Sequence, residues 1–181
     1  MASPSYDLSV LTAMFVDDSP YMRKLIHDLL TLMGIGKVIT AADGESALKM
    51  YKEQSPDLLI TDANMAPMDG FEFVRRIRMD ADNPNPFVPI IMLSGHVEMA
   101  NIERARDQGV TEYLAKPVSA QSLMTRVISV IERPRQFVKV GPYFRPDRRR
   151  HTDDVYFGED KRGDEQGHKV QDSDDAETWA I

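Results

Sequence analysis

Four short apolar runs in this chain each end in a residue able to handle a cation or an anion. Residues 11–16 run directly into Asp17-Asp18, and residues 58–61 into Asp62. Residues 90–93 end at Ser94, and residues 110–115 end at Lys116-Pro117. Between these runs the apolar spacing changes to that of amphipathic helices. Strand and helix signals in alternation are the mark of a doubly wound sheet. In such a sheet, ligands bind beyond the carboxyl ends of the strands, where strand order reverses. The pattern therefore constrains fold and site together.

The alternation is regular. After the first run, Ser19-Pro20 reads as a cap followed by proline at the first helical position. Met22, Leu25, Ile26, Leu29 and Met33 follow at helical spacing, and Gly34 stops them. Residues 37–42 form a second strand, and Asp43-Gly44 opens a helix carrying Ala47, Leu48 and Tyr51. The loop after Asp62 runs to Asp69-Gly70, where a helix with Phe71, Val74 and Ile77 begins. Asn83-Pro84-Asn85-Pro86 breaks the chain before the fourth strand. A further helix ends near Gly109, and the last begins near Ser119 with Leu123, Val127, Ile128 and Ile131. Five strands and five helices with right-handed crossovers follow. Asp17-Asp18 and Asp62 can meet only if strands one and three are neighbours. This selects the order 2-1-3-4-5, a flavodoxin-like α/β fold with its switch point between those two strands.

Taken singly, these residues have ordinary readings. Asp17-Asp18 could cap a helix, Asp62 could cap a turn, and Lys116 could be a surface lysine. Gathered at four strand ends, they make three carboxylates for a divalent metal, with one hydroxyl and one ammonium for a phosphoryl group. The chain has no cysteine, which removes disulfide and thiol chemistry. It has no apolar run of membrane-spanning length and no signal-peptide pattern at its start, so a cytoplasmic protein without a membrane partner is expected. A net charge of -7 argues against nucleic acid as the partner of the whole chain.

The Asp17-Asp18 pair, Asp62, residues 64–70, Ser94 and Lys116-Pro117 together resemble the CheY-like receiver domain of two-component response regulators. The resemblance covers residues 8–133. It implies phosphorelay signalling, with Asp62 accepting a phosphoryl group as an acyl phosphate from a sensor histidine kinase or phosphotransfer protein. The cofactor implied is Mg2+, ligated directly by Asp18 and Asp62, through water by Asp17, and by the backbone carbonyl of Asn64. Lys116 would pair with a phosphoryl oxygen, and a cis peptide at Pro117 is implied. Ser94 and Tyr113 would form the switch, while Asn64 and His96 would tune hydrolysis of the acyl phosphate. No separate enzymatic activity is expected beyond the protein's own phosphorylation and dephosphorylation. The start of the first helix, around Tyr21, Met22 and Ile26, is expected to be exposed and to meet the kinase.

After Arg133 the strand and helix periods stop. Residues 134–181 read as a flexible, largely disordered tail. It is bipolar: residues 135–150 hold six bases and one acid, whereas residues 151–181 hold three bases and ten acids. The tail resembles that of stand-alone bacterial receivers of the alphaproteobacterial type. Tyr143, Phe144, Arg148, Arg149 and Arg150 are its contact candidates. The leading expectation is output through protein contacts with an unknown target. The alternatives are a phosphate shuttle or sink, and nucleotide or nucleic-acid binding through the arginine-rich stretch.

Overall fold

The computed structural model describes residues 6–95, 99–133, 137–140, 143–146 and 177–179, the last three stretches largely as backbone. The elements run β1 (Thr12–Val16), α1 (Pro20–Leu32), β2 (Lys37–Ala41), α2 (Gly44–Gln54), β3 (Leu58–Asp62), α3 (Gly70–Met79), β4 (Ile90–Ser94), α4 (Met99–Asp107), β5 (Glu112–Ala115) and α5 (Ala120–Glu132). The five strands form one parallel sheet in the order β2-β1-β3-β4-β5, as the sequence requires. β3 and β4 are buried along their whole length, which is why they read as unbroken apolar runs rather than alternating ones.

Short polar residues start the helices. Ser19 caps α1 ahead of Pro20. Asp43 accepts the Ser46 amide at 2.8 Å, and Asp69 accepts that of Glu72 at 2.7 Å. Ser119 and Ser122 form a reciprocal capping box on α5. Each satisfies amides that the first helical turn leaves without a partner. After α4, Gly109 takes a φ of +92°, a region closed to most side chains.

The helices cover both faces of the sheet, giving two apolar cores. One gathers Met14, Leu59, Met92, Phe73, Val74 and Ile77. The other gathers Phe15, Ile60, Leu93, Ile26, Leu30, Leu123 and Val127. Successive residues of β1 thus face opposite cores, as the period of two dictates.

Three further strands, absent from the sequence reading, follow α5: β6 (Phe137–Val140), β7 (Tyr143–Pro146) and β8 (Glu177–Trp179). They pair antiparallel in the order β7-β6-β8. Phe137 is 2% exposed, so this residue of the stretch read as a flexible tail is buried. Its ring meets Phe87 edge-on at 5.6 Å and lies 4.8 Å from the Arg78 guanidinium carbon. Among the described residues no helix is long and apolar enough to cross a membrane.

Candidate functional site

The site forms where β1, β3, β4 and β5 end. At the end of β1, the Asp17 amide extends the ladder by donating to the Ala41 carbonyl at 3.2 Å. The Asp17 carboxylate accepts the Ser19 amide at 2.8 Å. The turn into α1 is thus built partly from the acid itself, an aspartate bonding its own backbone two residues on. Asp17 is 1% exposed, while Asp18 points to solvent.

At the end of β3, Asp62 lies opposite Leu93 of β4. Its Oδ1 accepts the Ala63 amide at 2.9 Å. The loop that follows returns so closely that a Cβ on Gly70 would lie 2.0 Å from the Asp62 carbonyl oxygen. Only glycine lets α3 begin this near the strand end. The sequence places Gly70 at the end of the loop where the helix begins; what it permits there is close approach to the Asp62 backbone.

β5 supplies the cation. The Lys116 amide donates to the Ser94 carbonyl at 2.8 Å. Its Nζ lies 2.9 Å from Asp62 Oδ1 and 3.2 Å from Asp17 Oδ2. The Lys116-Pro117 bond is cis, as expected, and so is Ala66-Pro67, which the sequence did not announce. Asp17, Asp18 and Asp62 offer oxygens that all lie within 4.8 Å of one another. Among the described residues one ammonium thus pairs with two of these three carboxylates.

That imbalance sets the electrostatics. Burial pushes the Asp62 carboxyl above its usual range; Lys116 pulls it back and Asp17 pushes with burial, leaving it raised. Burial alone would lower Lys116, but its contacts with Asp62 and Asp17 outweigh that and leave it raised. The ammonium stays charged, and the acids remain short of positive charge. Hard oxygen donors this close together suit a divalent cation such as Mg2+, which binds carboxylates and keeps several waters.

The remaining predicted residues surround this centre. Ser94 is 2% exposed at the end of β4, paired in register with Ala115. Tyr113 lies two residues before Ala115, half-buried against the first core. Alternation along β4 and β5 puts Ser94 and Tyr113 on one face of the sheet. Asn64 is exposed in the loop two residues past Asp62. His96, Arg148, Arg149 and Arg150 lie outside the described residues, and of Tyr143 and Phe144 only the backbone, in β7, is described. At the start of α1, Tyr21 is exposed as expected and Met22 is partly buried. Ile26, however, is wholly buried in the second core and cannot belong to an external surface. Its place one turn beyond Met22 turns it inward.

Sequence reasoning missed Arg23. Its Nη1 donates to the Asp17 carbonyl at 2.8 Å and the Asp18 carbonyl at 3.0 Å. A cation in the first turn of a helix carries no sequence signal for such a contact.

Fold and site together define a signalling domain with an acidic cluster at the carboxyl edge of a five-stranded sheet. The family model for the response regulator receiver domain matches residues 13–128, and the chain belongs to that family. Receiver domains bind Mg2+ at an aspartate cluster of the kind formed by Asp17, Asp18 and Asp62. Over 120 residues the chain is 34% identical to the chemotaxis protein CheY of Pseudomonas aeruginosa, covering 66% of this chain and 95% of that protein. It is 35% identical over 120 residues to "Probable transcriptional regulator ycf27" of Guillardia theta, again over 66% of this chain. The match spans only 45% of that relative's length. Among solved structures, CheY4 of Vibrio cholerae superposes with a TM-score of 0.62 at 33% identity, covering 66% of this chain and 98% of its own.

Proposed function

We propose that this protein is a phosphorelay regulator that accepts a phosphoryl group on Asp62 from a histidine kinase or phosphotransfer protein. The observation that carries the reading is the buried Asp62 carboxylate, 2.9 Å from Lys116 and within reach of Asp17 and Asp18.

Among the described residues, the Ala63 amide and Lys116 both meet the Asp62 carboxylate at Oδ1. The other oxygen, Oδ2, is the attacking one in this reading. It forms the new P–O bond as the P–N bond of the phosphohistidine breaks, and the released imidazole nitrogen keeps the bonding pair. Asp18 and Asp62 would hold Mg2+ directly, with Asp17 assisting through water and the Asn64 carbonyl as a further ligand. When bound, the ion offsets the repulsion between the carboxylate and the incoming phosphoryl oxygens. Lys116 then turns from its two acids to a phosphoryl oxygen, as a point charge. The Ser94 hydroxyl donates to a second phosphoryl oxygen, and Tyr113 on the same face fills the space so vacated. Output passes through protein contacts.

The test is phosphorylation of the full chain by acetyl phosphate with and without Mg2+, read by intact mass and peptide mapping. One phosphoryl group on Asp62, dependent on Mg2+ and absent from Asp62→Asn, is the expected result. Equal modification of Asp62→Asn would overturn the assignment.

A further inference from the structure

We infer that Arg23 is a positioning residue for the acidic pocket, holding the main chain of Asp17 and Asp18 so that their carboxylates converge. The inference rests on reading those acids as the metal pocket. One guanidinium nitrogen spans two consecutive carbonyls, at 2.8 Å to Asp17 and 3.0 Å to Asp18. The Arg23 amide donates to the Ser19 carbonyl at 3.0 Å. That hydrogen bond is the first intrahelical bond of α1 and fixes where the side chain starts; the guanidinium then reaches back past the cap to the two carbonyls before it. Arg23 forms no ion pair among the described residues, so its charge is spent on main-chain oxygens.

The consequence is geometric. Asp17 and Asp18 are adjacent, so their side chains would ordinarily diverge along an extended strand. Here their oxygens approach within 4.8 Å of each other and of Asp62. That convergence requires the intervening peptide to be held off the strand path. Arg23 draws both carbonyls, and the Ser19 amide holds the Asp17 carboxylate. Groups that orient ligands without touching the metal contribute to affinity through the placement they enforce.

The experiment uses the full chain and Mg2+ alone as the probe. Calorimetric titration of Arg23→Gln should show Mg2+ binding weakened by about tenfold, within the range for lost outer-shell partners. Arg23→Lys keeps a donor at the same place and should recover most of that loss. Acetyl phosphate kinetics should split accordingly: the Mg2+ concentration for half-maximal rate rises in Arg23→Gln, while the plateau rate at saturating Mg2+ stays near the parent's. A lowered melting temperature with unchanged Mg2+ affinity would show a purely structural residue and overturn the inference. A lowered plateau with an unchanged midpoint would do the same, because Arg23 would then act on the phosphoryl group. The proposed function fails separately: a parent protein that takes no phosphoryl group refutes it, while the calorimetric comparison still decides Arg23.

Discussion

Two ends of the same sheet bury charge in opposite ways. Beyond the amino ends of β4 and β5, Arg78 is 5% exposed. Its guanidinium donates four hydrogen bonds to the carbonyls of Pro86, Val88 and Gly109, at 2.6 to 3.1 Å. Phe137 lies against it. Burial still draws Arg78 down to about 9, but nearly every direction around the charge is filled by a fixed dipole or a ring. At the carboxyl ends, Asp17 and Asp62 are buried as deeply, yet share a single lysine and face a third acid. Removing an ion from water costs several kcal/mol and is tolerable only with excellent compensation. The Arg78 end is compensated and closed. The aspartate end is left short of positive charge, which is the condition for a cation and an incoming phosphoryl group to bind there.

If this contrast is right, the largest effect should come from Arg78. Arg78→Met leaves three carbonyls unpaired, at about 1–3 kcal/mol each, and should cost at least about 3 kcal/mol in urea unfolding. Arg78→Lys should not restore it, because an ammonium cannot reproduce the planar fork. A loss of less than ~1 kcal/mol for Arg78→Met would mean the carbonyls find other partners. Next comes Phe137→Ala, which removes the ring over Arg78 and should cost about 3 kcal/mol. Unchanged stability there would separate β6 from the rest of the fold. Gly70→Ala follows at about 1–3 kcal/mol, from forcing a methyl group against the Asp62 carbonyl. It should also slow phosphorylation, since the displaced atom belongs to the proposed acceptor residue. Loss of stability at normal phosphorylation would detach α3 from the site.

The smallest effect should have the opposite sign. The Asp62 pKa is raised by burial. A carboxyl raised on folding contributes stability below its unfolded value, and that contribution is lost as pH rises through the folded one. Without Mg2+, Asp62→Asn should therefore be slightly more stable than the parent at neutral pH. The gap should close as pH falls below the carboxylate range. A constant gap across that range would place its origin in packing rather than charge.

Most of the aspartate end was legible because its residues fall directly after strand-like runs. Asp17, Asp18, Asp62, Ser94 and Lys116 follow runs whose apolar character is set by burial, so topology alone brings them together. The Arg78 end was not legible. Arg78 lies in a helix beside Arg75 and Arg76, which pair with Glu72 at the surface, and nothing in the sequence distinguishes a buried guanidinium from an exposed one. The strands β6 and β7 carried a weak signal. Phe137 to Val140 is rich in β-branched residues and Gly141-Pro142 marks a turn, but a four-residue run among arginines offers too little periodicity to outweigh its composition. Arg23 and Gly70 act through backbone atoms, which side-chain patterns do not report.

The aspartate end is thus open to a cation, and the Arg78 end is closed. Thermal unfolding with and without Mg2+, in the parent, Asp18→Ala and Phe137→Ala, tests this contrast most directly. A ligand that binds only the folded state raises its stability with concentration. Mg2+ should raise the midpoint of the parent and raise that of the destabilised Phe137→Ala by a similar increment, while the increment largely disappears in Asp18→Ala. An equal increment in Asp18→Ala and parent, or its loss in folded Phe137→Ala alone, would contradict the account.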